Sequence, residues 1–498
     1  MVRPLEMVVV VLGSVAAAGM LVPRLSKNKE LCLYPSIVAM LATVAHQVIE
    51  GTRWHMGPVY VLIVLLVGVA LKRSARIGRE GSSSGSRFSS KAKAVLFGGA
   101  AALLLGVGVV LMLLFPVVHL PDPTGPYAVG TTYLEFVDSS RTETLTDDPI
   151  DLREFSARVW YPAELDSGED PMPYIEYTAP VGSLEPGAPA IAFSHLKLSR
   201  SNSHLNARIA EGNTGYPILL VSVGFLAGYE DHQLAAEELA SNGFVVLSFT
   251  NPYESASVVR PDGTVVPFSA EHGENYEQHM NTTMPLWAEF WGSDDTTVTY
   301  EVARRILASE NFMDNVLRIR VADLRYAIGE LERMNVAGSG SLFSAKLDLT
   351  RIGVFGHSMG GAVAGQLCLV DDRVKAGVNL DGFQFGDVVT DTIEQPFMTA
   401  YSEAFEGAND FILGNFGDMT YVLTIAGSTH MNFSDWPVIL PLTRRLGMAG
   451  PIEPARAAEI TNAYLLAFFD RHLRGVEPPL LERSASPYPE VHIEVRTP

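Results

Sequence analysis

The pattern GHSMG at residues 356–360 places a serine hydroxyl between a predicted strand, Arg351–Phe355, and a helix rich in small residues. A sharp turn from strand to helix strains the backbone of Ser358 and exposes its hydroxyl, as nucleophilic catalysis requires. Gly356 and Gly360 carry no Cβ, so neighbouring backbones can approach the turn. We therefore predict that Ser358 is a nucleophile that attacks a carbonyl carbon.

The same motif occurs a second time, as GSSSG at residues 81–85. This copy lies in a cationic, serine-rich stretch, and no predicted strand precedes it. Because the surrounding elements decide whether the motif can present a hydroxyl, we interpret the second copy as a linker.

A serine hydroxyl becomes reactive only when a base removes its proton and an acid orients that base. In doubly wound hydrolases both groups follow the serine at the carboxyl ends of strands, first the acid and then the histidine. Asp381 and His430 each follow a predicted strand in that order, and we predict that they are the acid and the base. Glu403 and Asp410, which follow the strand between them, remain alternatives for the acid.

Two backbone N–H groups are expected to stabilise the negative oxygen of the tetrahedral intermediate. One belongs to Met359, directly after the predicted nucleophile. The other belongs to Phe225, which follows the continuous apolar run Pro217–Gly224. Both contributions come from the backbone, so the side chains of these residues remain free to pack in the core.

Residues 120–498 alternate between predicted strands and helices, which indicates a mostly parallel, doubly wound sheet with helices on both faces. The predicted strands are 217–224, 244–249, 351–355, 374–380, 397–402 and 421–426, and the predicted helices lie near 231–241, 317–331 and 454–473. We therefore expect one α/β domain over 120–498, with an irregular tail after Gly475.

The segment 251–299 interrupts this alternation, since it has no clean period and is rich in aromatic residues. A long insertion in a compact domain is often a lid or cap, and Trp287 and Trp291 are candidates for an acyl site; an ordinary packed insertion is the alternative. The insertion also contains residues that resemble a metal cluster by composition only, namely His272, Glu274, Glu277 and His279. We predict no metal site and no cofactor.

The first 119 residues contain four apolar runs without a single Asp, Glu, Lys or Arg. A helix needs about 20 apolar residues to span a bilayer. We predict a transmembrane module over 1–119 with spans near 5–23, 31–49, 55–71 and 94–116. Three spans with one re-entrant segment, or a cleaved signal peptide in place of the first span, are alternatives.

The distribution of charge predicts an orientation and excludes one class of partner. The segment Lys72–Lys93 carries seven Lys and Arg side chains against Glu80 alone, so this loop is expected to be cytoplasmic. Residues after His119 are then extracytoplasmic. Residues 120–498 carry 24 basic against 52 acidic side chains, which would repel a nucleic acid.

Several segments resemble the platelet-activating-factor acetylhydrolase family, plasma-type branch, over roughly residues 125–475. They are GPYAVGTTYLEF (125–136), ARVWYP (157–162), LASNGF (239–244), ESAS (254–257), VFGHSMGGA (354–362), NLDGF (379–383) and GSTHMNFSDW (427–436). The resemblance implies an α/β-hydrolase fold that needs no metal, and cleavage of short or oxidised sn-2 acyl esters of phospholipids. It also implies Ser358 as nucleophile, Asp381 as acid and His430 as base, with Phe225 and Met359 as oxyanion donors. The chain departs from the family pattern at Val223, where the family usually has His, and in its transmembrane module.

The predicted function is therefore that of a membrane-anchored serine ester hydrolase, acting on an ester or lipid small molecule beside the bilayer. Three alternatives remain: hydrolysis of another ester, such as a triglyceride, aryl ester or polyester; acyl transfer within the cell envelope; and a catalytically dead binding module on a hydrolase scaffold. The sequence predicts neither the preferred acyl length nor the oligomeric state.

Overall fold

The computed structural model describes residues 3–22, 29–77, 87–146, 148–176, 190–211, 215–255, 257–260, 263–293, 295–309, 311–417, 419–481 and 487–496. The chain divides into two compact units, a helical unit and an α/β unit. The helical unit contains Met1–His119 together with Pro189–Ser199 and Ile439–Leu442. The α/β unit contains Leu120–Ala188, Arg200–Val438 and Thr443–Pro498. The sequence does not predict that the two short later segments belong to the helical unit, because both lie inside the range expected for the α/β domain.

The helical unit is built on four helices that are long and apolar enough to cross a membrane. They are α1 (Pro4–Leu21), α2 (Lys29–Ile49), α3 (Gly57–Ile77) and α4 (Arg87–Leu114). Large apolar side chains point away from the unit, among them Leu41, Val64 and Leu103, each at least 60% exposed. Exposed apolar surface of this kind is expected of helices that face lipid rather than water.

Helix α1 begins at Pro4, so the acidic side chain of Glu6 lies inside the helix rather than before it. The sequence-based expectation of spans without charged side chains is therefore wrong at this position. The charge is tolerated because it is paired: both oxygens of Glu6 accept hydrogen bonds from Arg53 Nη1, at 2.6 and 2.8 Å, and Arg3 Nη2 donates at 2.8 Å. His46 Nε2 similarly meets the Tyr60 hydroxyl at 2.7 Å and joins α2 to α3.

The α/β unit is organised around one large mixed sheet. Its strands are β1 (Ala128–Thr142), β2 (Leu152–Glu164), β3 (Ser203–Leu205), β4 (Arg208–Ile209), β5 (Tyr216–Ser222), β6 (Val245–Phe249), β9 (Leu347–His357), β10 (Val374–Leu380), β11 (Phe397–Ser402), β12 (Thr420–Ile425) and β13 (Val491–Arg496), while β7 (Ser257–Val259) and β8 (Val265–Pro267) form a separate hairpin. The order in the sheet is β13-β12-β11-β10-β9-β5-β6-β2-β1-β3, with β4 paired to β2. Six adjacent strands, in the order β12-β11-β10-β9-β5-β6, pair parallel with one another. Strand β13 pairs antiparallel with β12, and β2 pairs antiparallel with β6.

Helices cover both faces of this sheet. The remaining helices of the chain are α5 (Gln233–Ser241), α6 (Ala270–Trp291), α7 (Thr296–Leu307), α8 (Asn311–Met334), α9 (Met359–Val370), the short α10 (Trp436–Ile439) and α11 (Leu442–Arg445), and α12 (Pro454–Arg474). Helices α5 and α12 share one apolar core with the sheet, and α8 and α9 share the other. The predicted apolar face of α8 is confirmed, since Leu317, Leu324 and Leu331 are almost fully buried.

Two segments are more regular than their sequences indicate, and for the tail after Gly475 the expectation of an irregular structure is wrong. The insertion 251–299 has no clean sequence period, yet it contains the β7–β8 hairpin, α6 and the start of α7. Helix α6 buries only His272, Thr283 and Phe290, so its sequence shows almost no apolar period. The tail after Gly475 ends in β13, which pairs antiparallel with β12 because a sheet edge offers free backbone partners.

Candidate active site

Ser358 lies at the sharp turn between β9 and α9. Its backbone has φ +57° and ψ −123°, a conformation that costs free energy in a residue with a side chain. Two hydrogen bonds hold the turn: Ser358 N–H donates to the Leu380 carbonyl, and Gly361 N–H donates to the Ser358 carbonyl, both at 2.9 Å. This strained turn is the one that the GHSMG pattern predicts.

The two glycines of the motif are required by close backbone contacts. A Cβ at position 356 would lie 2.1 Å from the Gly360 carbonyl oxygen, and a Cβ at position 360 would lie 1.8 Å from the Ser222 carbonyl oxygen. Both distances are far below van der Waals contact. Gly356 and Gly360 therefore allow the turn to pack directly against the end of β5.

The carboxylate of Asp381 is hydrogen-bonded to the imidazole of His430. The distance from His430 Nδ1 to Asp381 Oδ2 is 2.9 Å; Asp381 is fully buried, whereas 44% of the His430 side chain is exposed. Ser402 adds two donors, its backbone N–H at 2.5 Å and its hydroxyl at 3.0 Å. Since the carboxylate accepts the proton on Nδ1, Nε2 is left as the basic nitrogen of the ring.

The other two candidate acids lie in different surroundings. Glu403 Oε2 accepts a hydrogen bond from the Gly427 N–H at 2.5 Å. Asp410 begins a short 3-10 turn, and burial raises the pKa of its carboxyl. Among the described residues, Asp381 is the carboxylate bonded to the His430 ring.

His357, the residue before the serine, is hydrogen-bonded to the backbone of His430. Its Nε2 donates to the His430 carbonyl at 3.0 Å, and the two ring centroids are 4.4 Å apart. Burial, followed by the proximity of His430 and His232, lowers the pKa of His357 well below its usual value. The ring is therefore neutral at physiological pH and links His430 to the serine turn. Among the described residues, Ser358 Oγ makes no hydrogen bond.

The predicted oxyanion donors belong to two segments that adjoin Ser358, the turn after β5 and the start of α9. A Cβ at Gly224 would lie 3.6 Å from the Ser358 Cβ, so the turn before Phe225 packs against the serine. Leu226, the residue after Phe225, has φ +67°, a backbone conformation that residues with a side chain rarely adopt. Met359 is the first residue of α9, and the first amides of a helix have no acceptor within it.

An aromatic cluster lies beside His430. We define it as Trp287 and Trp291 of α6 together with Phe383 and Phe405. Trp287 lies 4.8 Å from Phe383 and 5.7 Å from Phe405, measured between ring centroids, and Phe405 lies 6.1 Å from His430. Trp291 stacks on Trp287 and remains 42% exposed. Both candidate tryptophans therefore belong to one aromatic cluster, which reaches the His430 ring through Phe405.

The residues that resemble a metal cluster in the sequence do not converge in the structure. His272 packs edge-on against Phe312 at 5.2 Å, and His279 lies 6.5 Å from the same ring. In the described ranges no group of three or more His, Cys, Asp or Glu side chains is arranged to hold a metal ion.

Two buried carboxyl groups, those of Asp231 and Asp435, lie near the start of α5. Asp435 Oδ2 accepts from the Leu234 N–H at 3.0 Å and from the Tyr174 hydroxyl at 3.3 Å, and the Asp435 N–H donates to the Asp231 carbonyl at 2.8 Å. Burial, followed by the charge of Glu230, raises the pKa of Asp231 to about 8. Asp435 thus ties the His430 segment to α5.

Sequence reasoning missed two residues that bind the predicted acid and base. Ser402 ends the strand next to β10, and nothing in its local sequence marks it as a partner of Asp381. His357 lies inside the nucleophile motif, but the motif leaves that position open. A histidine there was the available signal, because a buried ring must find a hydrogen-bond partner.

Comparison with known proteins identifies the family. Residues 112–477 match the family model described as platelet-activating factor acetylhydrolase, isoform II. The chain is 26% identical over 275 residues to a platelet-activating factor acetylhydrolase from Gallus gallus, an alignment that covers 52% of this chain and 62% of that protein. It is 23% identical over 416 residues to a probable 1-alkyl-2-acetylglycerophosphocholine esterase from Arthroderma benhamiae, covering 75% of this chain and 92% of that protein.

A similar solved structure is a ferulic acid esterase from Streptomyces cinnamoneus. It is 27% identical, with a TM-score of 0.58, over 76% of this chain and 99% of that one. The mixed sheet with helices on both faces fits the α/β-hydrolase fold, and the comparisons support carboxylic ester hydrolysis as the class of activity. The chain belongs to the platelet-activating factor acetylhydrolase, isoform II, family.

Proposed function

We propose that the chain is a membrane-anchored serine esterase in which Ser358, His430 and Asp381 form the catalytic triad. The observation that carries this proposal is the hydrogen bond between buried Asp381 and exposed His430, whose own carbonyl is bonded to the residue before a strained serine. In the proposed reaction His430 Nε2 takes the Ser358 hydroxyl proton as Oγ attacks the ester carbonyl. The amides of Phe225 and Met359 stabilise the resulting oxyanion.

The remaining steps follow from the same groups. The protonated imidazole returns its proton to the leaving alcohol as the ester C–O bond breaks, which leaves an acyl group on Ser358. Water then attacks the acyl-enzyme with Nε2 as base, and the collapse of the second intermediate returns the proton to Ser358 Oγ. Asp381 holds the ring in the required tautomer and stabilises its positive charge.

A fluorophosphonate probe tests the nucleophile. Wild type should label and Ser358→Ala should not, while Ser83→Ala, in the second copy of the motif outside the described residues, should label as wild type does. Equal labelling of wild type and Ser358→Ala, or no labelling of either, would reject the triad and favour a binding module on an inactive scaffold.

We propose short-acyl phospholipids as substrates, in line with the curated relatives, and esters that carry an aromatic acyl or alcohol group as the second candidate. The aromatic cluster beside His430 and the ferulic acid esterase neighbour favour the second. A panel of acetyl phospholipids, p-nitrophenyl esters of rising length and methyl ferulate should separate the candidates.

Substitution of the cluster sharpens that comparison. Trp287→Ala should lower kcat/KM more for aromatic than for short aliphatic esters, and Trp291→Ala should do so less, because Trp291 is more exposed. Adding an alcohol or glycan acceptor during turnover tests acyl transfer, since a transferase would divert the acyl group from water to the acceptor.

We propose that α1–α4 span the membrane with Lys72–Lys93 in the cytoplasm and the α/β unit outside. Cys32 and Cys368 are both buried, so single engineered cysteines can report sidedness. In intact cells, a membrane-impermeant maleimide should label Ser167→Cys in the exposed turn after β2, and should label Ser83→Cys only after permeabilisation. The reverse pattern would overturn the orientation.

A further inference from the structure

A buried arginine interrupts the apolar face of α8. Arg320 lies three residues after Leu317 and four before Leu324, on the helix face that packs against the sheet. It is 1% exposed, and Glu254, its partner, is fully buried; Arg320 Nε lies 2.9 Å from Glu254 Oε2. A buried ion pair gains little net stability over apolar side chains of the same volume, so stability alone does not account for it.

The guanidinium group is also hydrogen-bonded to the backbone of residues 223 and 224, the turn before Phe225, which we call the oxyanion turn. Arg320 Nη1 donates to the Val223 carbonyl at 2.6 Å, and Nη2 lies 3.5 Å from the Gly224 carbonyl. In a trans peptide the C=O and the next N–H point in opposite directions. A Gly224 carbonyl directed at Arg320 therefore turns the Phe225 N–H away from it.

Glu254 belongs to a segment that is tied to the same turn. Ser255 Oγ donates to the Ala227 carbonyl at 2.8 Å, and Ser255 forms a backbone bridge with Leu226. The Glu254 N–H donates to the Asn251 carbonyl at 3.1 Å, which fixes the carboxylate relative to the end of β6. The ion pair thus connects α8, the segment after β6 and the turn before Phe225.

We infer that Arg320 and Glu254 are positioning residues for the oxyanion hole, an inference that rests on the proposed esterase function. Arg320 holds the carbonyls of residues 223 and 224 toward the interior, and Glu254 orients and neutralises the guanidinium group. The Phe225 N–H is thereby fixed before the oxyanion forms, which is the condition under which such a donor accelerates the reaction.

The test compares Arg320→Met and Arg320→Lys with a matched control, Arg153→Met. Arg153 is also buried and pairs with Asp323 of α8 at 2.7 Å and with Glu143 at 2.8 Å; among the described residues it makes no hydrogen bond to the turn before Phe225. Both Met variants should lower the thermal midpoint. Only Arg320→Met should lower kcat, by about 10- to 100-fold with KM changed less than about threefold, because a lost oxyanion donor costs about 100- to 1000-fold.

A second readout is inhibition by a trifluoromethyl ketone, which forms a charged tetrahedral adduct on the serine. Its affinity should fall with kcat/KM in the Arg320 variants, while the affinity of an uncharged substrate analogue should not. Should Arg320→Met fail to fold, Arg320→Lys and Glu254→Gln carry the test, each with a kcat about 3- to 10-fold below wild type.

The two hypotheses fail in different ways. Loss of fluorophosphonate labelling by Ser358→Ala together with an unchanged kcat in the Arg320 variants would overturn the positioning role alone. A wild type that neither labels nor hydrolyses esters would overturn the proposed function. If Arg153→Met lowered kcat as much as Arg320→Met does, the loss would reflect general destabilisation of the fold. That result would also overturn the positioning role.

Discussion

Glu6 in the helical unit and Asp381 in the α/β unit are both buried acids, but their partners differ in exposure. In the helical unit, both oxygens of buried Glu6 accept from Arg53, which is itself 1% exposed. In the α/β unit, Asp381 is equally buried, yet its partner His430 keeps 44% of its side chain exposed. A pair enclosed on both sides connects helices, whereas a buried acid behind an exposed imidazole can direct proton exchange with substrate and water.

The largest expected effect concerns the pair of buried Asp381 with exposed His430. Asp381→Asn should lower kcat by about 10⁴-fold, because the amide stabilises the wrong tautomer of His430 and cannot balance its positive charge. Glu403→Gln is the matched control, since Glu403 binds the Gly427 amide instead, and its kcat should stay within a few fold of wild type. Steady-state hydrolysis of a p-nitrophenyl ester measures both. A greater loss in Glu403→Gln would assign the acid to that residue.

The enclosed pair of Glu6 with Arg53 should affect the stability of the fold and not the rate of ester hydrolysis. Arg53→Met leaves Glu6 buried without its main partner, and the free energy of unfolding should fall by about 3–5 kcal/mol. Thermal unfolding in detergent, followed beside ester hydrolysis at a permissive temperature, measures the two quantities separately. The double variant Glu6→Gln with Arg53→Met should recover much of the stability, and a specific loss of kcat in the folded single variant would contradict the comparison.

A third prediction concerns Asp231, a buried acid of the α/β unit. The pKa of Asp231 is about 8 in the folded chain against 3.8 for an ordinary aspartate, so the folded state retains a proton that the unfolded state loses. The free energy of unfolding should therefore fall as pH rises from about 4 to 8, by up to about 1.4 kcal/mol per pH unit. Asp231→Asn should flatten this decline and stabilise the protein at pH 8 relative to wild type. Denaturant unfolding at pH 5 and pH 8 decides; an unchanged slope would show that the neighbouring carboxyls Glu230 and Asp435 dominate.

The smallest expected effect concerns the hydrogen bond from His357, the residue before the nucleophile, to the His430 carbonyl. His357→Ala removes the donor to the His430 carbonyl and should lower kcat by about 10-fold with little change in KM. His357→Gln retains an N–H donor and should recover part of the loss. Equal activity of both variants and wild type would show that the hydrogen bond does not position His430.

Local patterns in the sequence were sufficient for the nucleophile turn and for the buried helix face of α8. Gly356, Ser358 and Gly360 are neighbours along the chain, so their required conformation is visible in five residues. The alternation of apolar strands and amphipathic helices likewise predicts an α/β sheet, because each element must bury one face or both.

The partners of that turn were decided only by the tertiary structure. Asp381, Glu403 and Asp410 all follow strands, and only the packing of β10 beside β11 brings the first of them to His430, 49 residues away. The ion pair of Arg320 with Glu254 joins residues 66 apart through a charged side chain on an otherwise apolar face. Sequence determines what each short segment can form, because backbone geometry and burial are local demands. The long-range hydrogen bonds of buried polar groups depend on which segments the fold brings together.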